Sequence, residues 1–161
     1  MKKLSYSKYT EEDFDIYFEM ASDGDVMKYI YGRAMTKEEA QKKFSSILNL
    51  NQDKELGYFL VFDEELNVHI GDCKLVNNKL NLDEFEIGYL LKPNFWRKGY
   101  GSIICAHLLL EANRLNSEKV VMAIIDPENI ASRKLLEKHN FESYWVGIEN
   151  DLPTEKLKLK K

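Results

Sequence analysis

Apolar and polar positions alternate along this chain with two periods, and the switch from one to the other marks out its elements. Residues 3 to 9 alternate, with Leu4 and Tyr6 on one face, and predict a short strand. Thr10 follows as an N-cap, with Asp13 three positions on as an imperfect capping box. Phe14, Tyr17, Phe18 and Met20 then recur at helical spacing, predicting a first helix that ends near Ser22-Asp23-Gly24. After the segment DVMKYIYG, Thr36 and Glu39 form a better capping box for a second helix, with Ala40, Phe44, Ile47 and Leu48 on its buried face. GYFLVFD from Gly57, NVHIGDCKLV (67–76) and EFEIGYLLK (84–92) read as three strands. A helix near 99–115, a strand at 119–126 and a helix at about 130–139 come next, and FESYWVGI and TEKLKLKK read as two closing strands. The order β α α β β β α β α β β predicts one mixed α/β domain over residues 1–161, with an antiparallel middle.

Composition narrows the function classes. The 27 acidic and 23 basic residues give a net charge of -4, which is not the footprint of a general nucleic-acid binder. Cys73 and Cys105 form no CxxC pair and read as free buried thiols in a reducing compartment. The N-terminal residues lack the apolar core of a signal peptide, and no apolar run reaches the ~18 residues of a spanning helix. The expectation is a soluble cytoplasmic protein with no direct nucleic-acid or membrane partner, as a monomer or homodimer.

The stretch WRKGYGSIICAHLLLEANRL, residues 96–115, carries the first candidate chemistry. A helix N-terminus leaves backbone N–H groups unpaired and partly positive, and a phosphate can take both. Gly99 and Gly101 would let the backbone approach closely, while Arg97 and Lys98 add whole charges. The stretch reads as an anion cradle for a pyrophosphate, or else as a plain loop with a glycine turn. A P-loop is excluded, because Gly-Ser-Ile stands where Gly-Lys-Ser/Thr is needed, and a dinucleotide fingerprint is excluded by Ile104 in place of a third glycine.

The run Trp96-Arg97-Lys98-Gly99-Tyr100-Gly101 resembles the [Q/R]-x-x-G-x-[G/A] cofactor loop of the GNAT acetyltransferases, with Trp96 in the Gln/Arg place. EIGYLLKPNFWRKGYG as a whole looks like the branch containing the ribosomal-protein N-terminal (Rim-type) acetyltransferases. DPENIASRKLLEKHNF, residues 126–141, is similar to the family's Asn-x-x-Ser…Leu-Glu-Lys-x-Gly-Phe segment. The resemblance implies a single-domain GNAT fold, a mostly antiparallel sheet of about seven strands with a splayed central pair and about four helices. It implies acetyl-CoA as co-substrate and no metal. In the family a bulged strand splays from its neighbour and the pantetheine arm enters the gap, so Tyr89, Leu90 and Leu91 would offer backbone groups to it. The pyrophosphate would sit on the N–H groups of Arg97, Lys98, Gly99, Tyr100, Gly101 and Ser102. Asn129 matches the asparagine whose amide holds the pantetheine, though it reads equally as the N-cap of its helix. Arg133, Lys134 and Lys138 read as a solvated basic face.

The chemistry is attack of a neutral amine on a thioester, which a base assists. Glu86 is the base candidate. It lies 13 residues before Gly99, where many family members carry a glutamate, and alternation puts it with Gly88 on the face opposite Phe85, Ile87, Tyr89 and Leu91. A glutamate on a solvated face, or one paired with a lysine, is the alternative. Many relatives have a tyrosine acid where Leu136 stands, so Ser132 or a water would protonate the thiolate. Asn140 replaces a glycine before Phe141 and tolerates the left-handed conformation of a helix end. His69, His107 and His139 lack metal-ligand spacing and read as satisfied structural residues. The closing KLKLKK reads as a solvated edge strand with Leu157 and Leu159 inward. In the family the region between the first two helices and the closing strands shape the acceptor site, which the resemblance puts here at residues 23–33, with Tyr29 and Tyr31, and at the Tyr144-Trp145 pair. Their acidic and aromatic groups suit a cationic amine, or else form a surface turn and a core aromatic cluster. A protein N-terminus and a small amine fit equally. A non-catalytic acyl-CoA-binding module and a cradle for another nucleotide remain the competing readings.

Overall fold

The computed structural model describes residues 2–161. Seven strands form one sheet: β1 (Leu4–Lys8), β2 (Gly57–Asp63), β3 (Val68–Asn78), β4 (Asn81–Leu91), β5 (Val120–Ile125), β6 (Phe141–Glu149) and β7 (Leu152–Leu159). Their spatial order is β1-β2-β3-β4-β5-β7-β6. Every pairing is antiparallel except β4 with β5. The helices are α1 (Phe14–Ala21), α2 (Gly24–Met27), α3 (Lys37–Leu50), α4 (Tyr100–Leu115) and α5 (Ile130–Lys138). Both expected capping boxes are present, Thr10 with Asp13 and Thr36 with Glu39. These are short-range hydrogen bonds, which is why the sequence carries them so plainly.

The sheet is covered on two faces. α4 and α5 pack on one, where Ile104, Cys105, Leu108 and Leu136 meet Cys73, Leu75, Ile87 and Leu157. The first three helices cover the other face over β1–β3, where Tyr17, Met20, Phe44 and Ile47 meet Tyr9 and Leu60. No helix among the described residues is long and apolar enough to cross a membrane.

Two expectations are corrected. β7 is not an edge strand. It lies between β5 and β6, and β6 forms the edge, because the final hairpin turns its last strand inward against β5. Leu157 and Leu159 do face the core, as alternation predicts. The second correction concerns the splay. The β4–β5 ladder runs only from Glu84↔Val120 to Ile87↔Ala123. No bulge in β4 causes this, since β3 and β4 stay in regular register from Asn77↔Phe85 to Gly71↔Leu91. The opening comes from β5, which remains bound to β7 through Ile124↔Lys156 and Ile125↔Glu155 and is drawn off with it.

Candidate active site

α4 begins unlike its neighbours. The helical segments at Glu11, Gly24, Lys37 and Ile130 are each capped by a side chain, from Thr10, Asp23, Thr36 and Asn129. α4 has Gly99 as N-cap, no side-chain cap bond and no acidic residue in its first turn. Its first N–H groups therefore have no such partner, and Arg97 and Lys98 stand immediately before them. Gly99 adopts φ 88, a left-handed turn that a side chain would strain, and Arg97 is itself at φ 59. The turn is tied down from both sides. The Trp96 indole N–H donates to the Leu91 carbonyl at 2.8 Å, which accounts for a tryptophan in place of Gln/Arg and occupies one backbone group expected to be free for a ligand. Tyr100 reaches back to the buried Asp63 at the end of β2.

Gly101 has a packing reason that its sequence context does not reveal. A Cβ there would lie 2.9 Å from Leu135 Cδ1 and 3.2 Å from the Tyr89 ring, so the glycine lets α4 close on α5 and β4. Ser102 is also engaged, with its Oγ 2.8 Å from His139 Nε2 at the end of α5. Burial, then the nearby Lys138, hold the His139 imidazole below its usual range, which favours the neutral ring.

Beyond Ile87 the splay leaves Gly88, Tyr89, Leu90 and Leu91 of β4 and Ile124 and Ile125 of β5 without a ladder across the opening. The Tyr89 side chain lies on the α4–α5 face, against Gly101 and beside Ser132. Burial pushes its phenol up, against the opposing effect of the Ser132 hydroxyl. Asn129 is the N-cap of α5, its Oδ1 accepting from the Ser132 N–H at 3.2 Å. That bond uses the amide oxygen only. Arg133 does not belong to a free basic face, because it is held by the buried Glu155 at 2.6 Å and by the Pro127 carbonyl. Asn140 adopts φ 74 after α5, as its residue type allows. Leu136 is buried in the core, with no hydroxyl where the last helix of many relatives has one.

Glu86 and Gly88 lie on the opposite face of β4, as alternation predicts. The carboxylate is paired. Lys74 on β3 is 2.5 Å from Glu86 Oε2. Burial works against the Lys74 charge, but Tyr58 and Glu86 beside it more than offset that and keep the ammonium. Sequence reasoning missed Lys74 and its neighbour Asp72. The signal was there, since both are charged residues inside an otherwise apolar strand. Asp72 is fully enclosed, with Tyr9 OH donating to it at 2.9 Å. His69 departs from expectation, since neither ring nitrogen has a hydrogen-bond partner. His107 stacks on Tyr6 at 3.7 Å. No group of potential metal ligands occurs among the described residues.

Comparison with known proteins matches this architecture. Residues 3–142 match the family model described as an acetyltransferase (GNAT) domain. The Bacillus subtilis protein named uncharacterized N-acetyltransferase YnaD is 29% identical over 139 residues, covering 85% of this chain and 78% of its own. The protein named uncharacterized N-acetyltransferase p20 of Bacillus licheniformis is 28% identical over 165 residues, covering 98% of this chain and 88% of its own. A Vibrio cholerae spermidine N-acetyltransferase solved with CoA and spermine shares the fold, with a TM-score of 0.79 over 97% of this chain and 94% of that one at 14% identity.

Proposed function

The chain belongs to the acetyltransferase (GNAT) family, whose members use acetyl-CoA as co-substrate, and we propose that this one moves the acetyl group to a primary amine by direct attack in the β4–β5 gap. Residues 1–161 would then act as a single catalytic domain. Acetyl-CoA supplies an acetyl group activated as a thioester. The uncapped first turn of α4 is the observation that carries the assignment: Gly99, Tyr100, Gly101 and Ser102 present N–H groups to a pyrophosphate, with Arg97 and Lys98 adding charge. Tyr89 offers backbone groups along the gap, whereas the Leu90 carbonyl is turned to Gly71 on β3, and the Asn129 amide N–H₂, unused by its cap, is free to hold a pantetheine carbonyl. The unpaired β4 backbone beyond Ile87 is the source of an N–H for the developing oxyanion.

Glu86 takes the proton from the attacking amine, and the Ser132 hydroxyl returns one to the departing thiolate. The Lys74 ammonium, paired with Glu86 Oε2, orients the carboxylate. Protein N-termini, as in the Rim-type branch, and small amines are both acceptors of this chemistry. Glu86→Gln is the test. Cofactor binding should hold while kcat falls by roughly 10²–10⁴ at neutral pH, with a smaller loss at high pH where the amine is already neutral. A wild-type rate across pH would remove Glu86 from the reaction.

A further inference from the structure

The acceptor side of the gap is lined by a repeated arrangement of ring, cation and carboxylate. Across the sheet the register runs Tyr58↔Lys74↔Gly88 on one bank and Ile124↔Lys156↔Trp145 on the other. The opening lies between Gly88 and Ile124, so each bank has a lysine next to the gap and an aromatic ring beyond it. Lys74 stands over Tyr58 at 5.7 Å and Lys156 over Trp145 at 5.0 Å. Each lysine also has its carboxylate, Glu86 for Lys74 and Glu149, at 2.7 Å, for Lys156. Two residues along β7, on the same face, Lys158 repeats the pattern with Tyr144 at 4.5 Å and Glu84 at 2.9 Å.

The loop between α2 and α3 is built the same way. Arg33 lies 5.0 Å over Tyr31, and both bind Glu39. Lys28 lies 5.1 Å over Tyr29. The rings that suggested a pocket for a cationic amine, Tyr29, Tyr31, Tyr144 and Trp145, therefore already carry the protein's own cations. Glu86, which borders the gap, and Glu149, out on the edge strand β6, are each ion-paired with a lysine. A ligand with several ammonium groups would find these rings and strand carboxylates already paired with the protein's cations and would have a lysine on each bank of the gap to repel it. Apolar surface is what remains open. Ile124, which borders the gap, is 38% exposed. Such surface suits the body of an uncharged or aromatic acceptor.

We infer, resting on the acyl-transfer reading of the gap, that its acceptor is an amine with a single positive charge on an apolar or aromatic body, and that polyamines are rejected. The device is the pair of lysines on the two banks, each held in place by a ring and a carboxylate.

Thiol release from acetyl-CoA tests this with the purified chain, comparing spermidine with a panel of monoamines that includes 2-phenylethylamine and phenylalanine amide. The expected result is a kcat/KM for the best monoamine at least about tenfold above that for spermidine. Spermidine equal or better would overturn the inference and leave the acyl-transfer reading standing. No release with any amine, while CoA still binds, would overturn both. Lys156→Gln removes one cation and leaves Glu149 free for a second ammonium. Spermidine should then gain about tenfold on the best monoamine. An unchanged ratio would overturn the electrostatic argument whatever the absolute rates.

Discussion

Tyr100 donates its hydroxyl to Asp63 Oδ2 across 2.5 Å, joining the first turn of α4 to the end of β2. Asp63 is buried, and its other oxygen accepts from the Glu65 and Leu66 N–H groups at 2.9 and 3.1 Å. One carboxylate thus closes the β2–β3 turn and anchors the helix whose N-terminus faces the proposed pyrophosphate. The carboxylate beside it pushes the Tyr100 phenol up to about 12. Tyr100→Phe leaves Asp63 short of a partner and should cost about 1–3 kcal/mol. The thermal midpoint should fall by several degrees, and CoA affinity by calorimetry should fall with it. An unchanged midpoint would mean that the bond contributes nothing.

Ser102→Asp separates the cradle from the fold. An acidic residue in the first turn of a helix stabilises it by roughly 0.3–1 kcal/mol, which offsets the loss of the His139 contact. The same charge repels a pyrophosphate. The midpoint should hold while CoA binds about tenfold more weakly. Gly101 is the wrong place for this test, because any Cβ there meets Leu135 and disturbs the core directly. Equal CoA affinity in the aspartate variant would remove the pyrophosphate from α4.

Asn129→Ser asks what the free half of an amide does. Serine caps a helix about as well as asparagine, so the unliganded midpoint should not change. Serine has no N–H₂ to replace the group that the Ser132 cap leaves free. Weaker CoA binding at an unchanged midpoint is the expected pair of results. Normal values for both would reduce Asn129 to its cap.

Two buried groups set opposing pH dependences. Burial raises the Asp72 carboxyl to about 6, against an ordinary value of 3.8. Between those values the folded chain binds a proton that the unfolded chain has released. The stability Asp72 contributes is therefore present below pH 4 and lost as pH rises through about 6. Burial, then Lys92, lowers His69 to about 4 from 6.5, so its contribution is present above pH 6.5 and lost as pH falls toward 4. The two offset each other in that window. Asp72→Asn keeps an acceptor for Tyr9 and removes the titration. Its midpoint should rise at pH 7 by the equivalent of roughly 3 kcal/mol or less. It should also expose a steeper decline toward pH 4 than the parent chain has. A parallel pair of midpoint-against-pH curves would sink this assignment.

What could be read from the sequence was local or came from resemblance. The boxes at Thr10 and Thr36, the strand at Gly57 and the faces of Glu86 and Ile87 follow from spacing within a few residues. The glycine turn before α4 and the Asn129 cap also lie within one motif each. What was missed depends on register between distant strands. Lys74 meets Glu86 because β3 and β4 pair in one particular alignment, and Lys156 meets Trp145 through a bulge between Ser143 and Trp145. The inward turn of β7 is a choice of strand order, and nothing in TEKLKLKK distinguishes an edge from an interior position. Gly101 looked like a concession to a ligand because the contact with Leu135 spans two helices.

The departure of β5 from β4 creates two sheet edges inside a molecule, where edges usually lie at its rim. Exposed edges invite other chains to add a strand, and proteins blunt them with charge, proline or cover. Here β4 and β5 line the opening, backed by β3 and β7, and α4 and α5 lie over one side of it. A peptide strand needs a neighbour spacing of about 4.8 Å and room for side chains on both faces, whereas an unbranched amide chain needs the spacing alone. The fold thus keeps a length of unpaired strand edge inside the molecule, where an unbranched amide chain can bind it without side chains to place. The amides of Tyr89 and Leu91, which face the gap, should accordingly be the ones in the central sheet whose hydrogen exchange slows most when CoA is added.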